Sequence, residues 1–422
     1  MNHPDPTPPN EPSSGENFIP LRHRQLIQYL VDWLVGDSEE QSERLHQLFH
    51  SLVSIFHIEH LANLVQVEDL YESLDPDHDE FPEASTEEIS VRAEKLFDRL
   101  VGVLYSAHYH KLDQNELNDA VTLGSSWGVK LNVNFEIFDS LMVFARGYRV
   151  VQRKRRRWSN FFRLEEVQFP EFHRLVIGFR LKPTAKVDAT MRSDVVYLKM
   201  FKNIPESELE ILLPGSTVQL SLVNRTRILI PSLSGFALAV YKITRGAMLI
   251  TVFTLSAFYH WLLFGVLLAF YLGRGVLSYL QTKDRYQFGL TRNLYLKNLD
   301  NNMGVIYRLF NEAEEQEVCE TILVYCVLLN EQKRLNENEM AERSIQLLKK
   351  FTDLVVTFDL HDALGKLSRF GLANVDSKGE WDAVPLNDAS AVLANYWTRQ
   401  FGKKNPLQRI KKIFEQQQGK AE

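Results

Sequence analysis

The chain has 422 residues, a formal net charge of −6 and two cysteines. That length allows more than one folded region, the weakly acidic balance gives no global basic field for nucleic acid, and two cysteines exclude a disulfide framework or a four-cysteine zinc site. A mean hydropathy of −0.21 fits a largely water-facing chain with an inserted anchor, not a polytopic transporter.

Residues 1–17 are rich in Pro, Ser and Asn, with Asp5, Glu11 and Glu16 and no Lys or Arg. This is neither a secretory signal nor an Arg-rich presequence, and it reads as a disordered lead. Residues 18–120 form an N-terminal helical region. Leu26, Ile27, Leu30, Val31 and Leu34 recur at helical spacing, and a second helix over about 38–56 carries Leu45, Leu48, Phe49, Leu52 and Ile55. His46 and His50 have the i,i+4 spacing of a metal pair, and His57 and His60 follow. No HEXXH and no cysteine accompanies them, so they read as helix-surface histidines. Asp75, Asp77 and Asp79 alternate like the opening of a calcium loop. Glu80 stands where the loop needs Gly and Thr86 where it needs a bidentate Glu, so this is read as a solvated acidic linker. A helix over 86–106 follows.

Residues 121–222 change period. Leu131, Val133, Phe135 and Ile137 alternate, and β-branched and aromatic runs continue to about 202, which predicts a small, mostly antiparallel sheet with Gly147 at a turn. Between two strands sit Arg153, Lys154, Arg155, Arg156, Arg157 and Trp158. The run reads either as a solvated hairpin tip or as a contact for anionic lipid, since cations near a charged bilayer gain about 1 kcal/mol each. Nucleic acid is the least favoured partner for it. A short helix over 201–215 begins near Pro205 and stops at Pro214 and Gly215.

Residues 223–275 are the transmembrane region. From Gly246 to Gly273 there is no Asp, Glu, Lys or Arg, and about 20 apolar residues suffice to cross roughly 30 Å of hydrocarbon as a helix. Two helices, roughly 228–248 and 252–273, are expected, with one long span as the rival. The ionisable residues Lys242, Arg245 and His260 fall inside this region and are functional candidates by position. Arg225, Arg227, Arg274, Lys283 and Arg285 flank it, against Lys242 and Arg245 at its turn. That bias places both termini in the cytoplasm, and a bacterial cytoplasmic membrane is the simplest home.

Residues 276–335 read as a helix pair broken at Asn302 and Gly304, with Cys319 and Cys326 on one apolar face. Residues 336–402 run helix, helix, hairpin, helix, the order of a winged-helix-like module. Its second helix offers only Lys366 and Arg369 against Asp359 and Asp362, too few cations for much phosphate contact. Residues 403–422 form a basic amphipathic tail suited to a membrane surface. The fold class expected is an α+β integral membrane protein: N-terminal helices, a small antiparallel sheet, a transmembrane helical hairpin and a C-terminal helical region.

The strings FIPLRHRQLI, YESLDPDHD, FARGYRV, YLKMFKNIPESELEILLPG, NLYLKNLDNNMGVI and EEQEVCETILVYCVLL occur in order along the chain. In these strings the protein resembles the transmembrane protein 143-like family, whose members carry the domain of unknown function numbered 3754. Its most specific pieces here are Lys202, Ile204, Pro205, Leu209, Glu210 and Pro214, then Asn298, Asp300, Asn301 and Asn302. The resemblance implies a membrane location and an architecture, not a chemistry. An animal member is associated with mitochondria, a less favoured home for a chain without a presequence. The expected role is a membrane-anchored scaffold or adaptor that meets the bilayer and a protein partner. The alternatives are an oligomeric channel, which would need several copies, and an enzyme whose site carries no recognisable motif. No GxxxxGK[ST], GxSxG, HEXXH or GxGxxG is present, and no cofactor or metal is implied.

Overall fold

A computed structural model of the protein describes residues 15–36, 38–78, 85–113, 116, 129–132, 134–156, 164–185, 191–215, 217–220, 241, 265–266, 294–331, 333–352, 355–356 and 360–402. The expected membrane hairpin, with Lys242, Arg245 and His260, lies outside the described residues, as do Arg157, Trp158 and the basic tail.

The N-terminal region holds β1 (Gly15–Glu16), α1 (His23–Val35), α2 (Glu39–Tyr71) and α3 (Thr86–Ser106). The second helix does not stop near residue 56. It runs on to Tyr71, because Val67 and Tyr71 reach a second core beyond the one that Leu45 to Phe56 enter. Among the described residues, Glu39–Leu74 is the one helical stretch long and apolar enough for a membrane span by length and composition. In the fold it packs against α1 and α3. Ser85 starts α3 by a reciprocal cap: its Oγ accepts from the Glu88 amide at 3.3 Å and its own amide donates to the Glu88 carboxylate at 3.1 Å.

The sheet strands are β2 (His110–Lys111), β3 (Val129–Asn132), β4 (Phe138–Arg156), β5 (Leu164–Leu181), β6 (Tyr197–Pro205), β7 (Thr217–Leu220) and β8 (Asn298–Asn301). Five of them form one antiparallel sheet in the order β2-β4-β5-β6-β8, while β3 pairs with β7 separately. The α+β class and the antiparallel sheet are as expected, and three details differ. The alternation over 131–137 is not one strand, because a 3-10 turn at Phe135–Ile137 breaks it. Gly147 lies inside β4 at φ 68, not in a turn. Asn298–Asn301, expected as helix ahead of the break at Asn302, is a strand, and Lys199 faces Asn301 across the sheet edge.

The remaining elements are α4 (Met303–Glu331), α5 (Glu337–Thr352), β9 (Val355–Val356), α6 (Leu360–Phe370), the hairpin β10 (Ala373–Val375) and β11 (Trp381–Ala383), and α7 (Leu386–Trp397). The helix, helix, hairpin, helix order after residue 336 is therefore present.

The inner sheet is covered on both faces. Met142, Phe144, Val176, Leu198 and Met200 join α3 and the first half of α4 in one core. Val143, Ala145, Leu175, Ile177 and Phe179 join Leu209, Leu212 and Leu213 in another. The second half of α4 is buried at every position from Val318 to Leu328, within a core shared by α1, α2, α5, α6 and α7. A helix apolar on all sides is a core helix, and α4 is the axis on which the other elements are laid.

Leu323 is fully buried and Leu61 is 47% exposed. Leu323→Ala should destabilise the protein by about 2–5 kcal/mol, and Leu61→Ala by no more than about 0.5 kcal/mol. Denaturant midpoints of the full chain in detergent check the contrast.

Candidate functional site

The middle of α4 carries an acidic string, Glu312, Glu314, Glu315, Glu317 and Glu320, and every one of these meets a cationic or histidine side chain from elsewhere. Glu314 pairs with His57 at 3.1 Å, and Glu317 with His60 at 3.1 Å. Both partners lie on α2, so a three-residue spacing on one helix matches a three-residue spacing on the other. Glu315 pairs with His23 at 2.9 Å and with Arg22 at 3.5 Å. Glu312 pairs with Arg146 of β4 at 2.8 Å and accepts from the Tyr109 hydroxyl at 2.7 Å. Glu320, 3% exposed, pairs with His108. His108 is held on it by the turn that closes α3, where its φ of 58 is in the left-handed region and the Tyr109 amide donates to the Leu104 carbonyl.

Gln316 adds a sixth joint. Its amide accepts from Ile19 N at 2.8 Å and donates to Ile19 O at 3.0 Å, as a neighbouring strand would. This docks the N-terminal segment along α4, where Leu21 O also lies 3.7 Å from Cys319 Sγ. Cys319 and Cys326 are both fully buried, and burial raises both thiols above their ordinary range.

A cleft of about 410 Å³ opens beside this row, between α2, α3, α4 and α6. Glu59, His60, Glu317, Asp362, Lys366 and Arg369 supply its charges, and Val103, Phe310 and Ala313 its apolar wall. Lys366 lies 3.1 Å from Glu317 and also pairs with Asp362, while Arg369 reaches Glu59 at 2.7 Å. Burial pushes the Glu317 carboxyl up, but the His60 hydrogen bond and the Lys366 charge outweigh it and hold it at about 2. Each of these charged groups is thus engaged by another, while His60 Nδ1 is buried without a hydrogen-bond partner. Among the described residues no group of three His, Cys, Asp or Glu side chains could hold a metal ion.

The histidines divide differently from the sequence expectation. His46 and His50 lie half-buried and exposed on α2. His60 is not a surface residue, since its side chain is 12% exposed and bonded to Glu317. The matched spacings of HIEH on α2 and EEQE on α4 are the sequence signal for this ladder.

The residues behind the family resemblance meet one another. Asp75 is buried and its carboxylate accepts from the Asp77 amide at 3.0 Å; Asp77 in turn accepts from Asn302 Nδ2 at 2.8 Å. The stretch read as a solvated acidic linker is therefore a docked turn. Asn302, at φ 49, also donates its amide to Leu198 O at 2.7 Å and so ties β6 to the start of α4. Asp300 pairs with Arg308. Asn301 is exposed, and Asn298 is half-buried on β8. Lys202, Ile204 and Pro205 lie on β6, and Leu209 and Glu210 on the following 3-10 turn, with Ile204 and Leu209 in the core; Pro214 follows at the turn with Gly215. Glu208 on that turn binds Lys297 at 2.7 Å, which pins the two ends of the undescribed stretch together.

Arg153, Lys154, Arg155 and Arg156 form the end of β4, with Val167, Glu166, Glu165 and Leu164 opposite them on β5.

Residues 172–304 match a family described as a protein of unknown function (DUF3754). The matched span contains β6, β8 and the joint at Asn302. No curated protein and no solved structure matches the chain.

Burial disfavours the charged His108, but the charge and hydrogen bond of Glu320 outweigh it and raise its pKa above the ordinary 6.5. A raised folded pKa stabilises fully below the unfolded value and is lost as pH rises through the folded one. His108→Ala leaves Glu320 buried without a counter-charge and should cost about 3–5 kcal/mol near pH 6. The gap to wild type should narrow as pH rises above 6.5, measured by denaturation at both ends of that range.

Proposed function

We propose that the protein is a membrane-anchored scaffold or adaptor, with one folded body on one face of a bilayer and a two-helix hairpin at about 228–273 as its tether. The observation that carries this reading is the pairing of β6 with β8. One strand precedes the apolar stretch and the other follows it, yet Lys199 faces Asn301 and Phe201 faces Asn298. A single crossing would put these strands on opposite sides of the membrane. Partners in one sheet require an even number of crossings, and the length of the stretch suits two. The Lys297–Glu208 pair repeats the constraint closer to the stretch.

The sheet also orients the body. β4 and β6 run the same way, and β4 continues past the end of β6 as a ribbon with β5. The ribbon carrying Arg153–Arg156 therefore extends from the end of the sheet where β6 finishes and β8 begins. That supports contact with anionic lipid, at reduced strength. In the strand register Lys154 and Arg155 stand opposite Glu166 and Glu165, so the run is not an unopposed block of charge. The pairing of every charge in the α4 cleft supports a rigid platform over a catalytic centre. The cationic flanks Arg225, Arg227, Arg274, Lys283 and Arg285 favour the cytoplasmic side for the body and both termini. The finer resemblance to the transmembrane protein 143-like family fits this reading.

Reporters fused before residue 15 and after residue 402 should report the same compartment, and a tag between residues 248 and 252 the opposite one. The full chain should stay in the membrane pellet through a carbonate wash. Termini in opposite compartments, or release by carbonate, would remove the hairpin tether.

A further inference from the structure

We propose that Arg146, Arg174 and Lys202 form a binding site for a phosphate-class dianion. They stand directly opposite one another on three neighbouring strands: Arg146 faces Arg174 across β4 and β5, and Arg174 faces Lys202 across β5 and β6. Like charges placed opposite in a sheet oppose its formation. A row of three therefore has no origin in sheet stability and calls for an anion.

The protein supplies one. Glu312 lies 2.8 Å from Arg146 and 3.7 Å from Arg174. Lys202 has no hydrogen-bond or ion-pair partner among the described residues. Three cations against one carboxylate leave two positive charges, the complement of a phosphate monoester near neutral pH. The donors are unfilled as well. Arg146 Nε is buried with no hydrogen-bond partner, Arg174 Nε has only Glu312 at ion-pair distance, and His173 Nδ1 beside the row is buried and unpartnered. Buried unpaired donors cost about 1–3 kcal/mol each, a penalty that an acceptor oxygen would relieve. The surrounding field is positive, since burial together with Arg174, Arg146 and Arg149 holds His173 down at about 4.

The site is also built to stay in place. The Arg146 guanidinium lies between two rings, 4.7 Å from the centroid of Phe18 and 4.8 Å from that of Tyr109, and donates to Ala107 O at 3.0 Å. Phe18 stacks on His173 at 5.9 Å. The row ends at a break in the sheet, where Gly147 at φ 68 and Asn203 at φ 52 flank His173 on the adjacent strands. Just beyond that break Arg149 is bound to the buried Glu171 at 2.6 Å. A planar guanidinium fork fits phosphate oxygens, and a lysine adds a movable point charge. The phosphate could be a lipid headgroup, because Phe201 beside Lys202 faces Asn298 where the chain returns from the apolar stretch, or a free anion.

The test uses the full chain in phosphatidylcholine nanodiscs, with and without phosphatidic acid, titrated calorimetrically with inorganic phosphate at constant ionic strength. Lys202→Gln should weaken phosphate binding at least tenfold, while Lys202→Arg retains it, and neither should lower the thermal midpoint in the absence of phosphate. If phosphatidic acid in the disc abolishes the phosphate heat in wild type, the ligand is the lipid headgroup. If the heat is the same in both discs, it is a free phosphate. No binding of phosphate in either disc, or a Lys202→Gln variant that binds as wild type does, overturns the proposal.

Discussion

A carboxylate on a buried helix has to meet a cation, and the architecture around α4 follows from that requirement. Glu320 is 3% exposed, and an ionised group at that depth is tolerated only when paired. The same holds with less force for Glu312, Glu315 and Glu317, whose side chains are 12–14% exposed. Their partners come from the N-terminal segment, α2, the turn after α3, the sheet and α6. Segments remote in sequence are thus brought to one helix by charge as well as by apolar burial. Such pairs add little net stability over an apolar core, but a mispaired arrangement would strand a buried charge, so they select one arrangement of the elements.

The second constraint is topological. The five-stranded sheet is left at β6 and completed by β8, on the other side of the apolar stretch in sequence. The strand that returns is short, and Asn302 secures it by bonding to β6 and to the Asp75–Asp77 turn. The left-handed backbone at Asn302 suits an asparagine, which tolerates that region better than most side chains. Gly304 is held close to the same joint, since a Cβ there would lie 2.9 Å from Asp300 Oδ1. The strings NLDNN and DPDHD therefore serve one junction, as FIPLRH and EEQEVC serve another.

The sheet changes character along its length. Its inner half is apolar on both faces and belongs to two cores. At the level of Gly147, His173 and Asn203 that pattern gives way to the row of cations and then to a two-stranded ribbon. Apolar burial fixes the register of the inner half, because a slip of one residue would turn core side chains to the wrong face. Past that level Tyr148 and Val150 are exposed, and β4 and β5 continue the inner register.

The helices were legible from the sequence because their apolar residues repeat at helical spacing: Leu26, Leu30 and Val31 in α1, and Leu96, Leu100 and Leu104 in α3, are all buried as that spacing implies. The apolar run 246–273 and the absence of a disulfide framework were likewise properties of composition. The antiparallel sheet was legible in kind but not in membership. Asn298–Asn301 carries no strand signal and becomes a strand only because β6 offers an edge on the far side of the inserted stretch. The candidate site was nearly invisible for the same reason. Glu314 and His57 are far apart in the chain, and only the parallel course of α2 and α4 turns two matched spacings into a ladder. Likewise Arg146, Arg174 and Lys202 are unremarkable singly, and strand register alone makes them neighbours. Local periodicity fixes which face of an element is apolar; which distant charge completes each pair is decided when the elements pack.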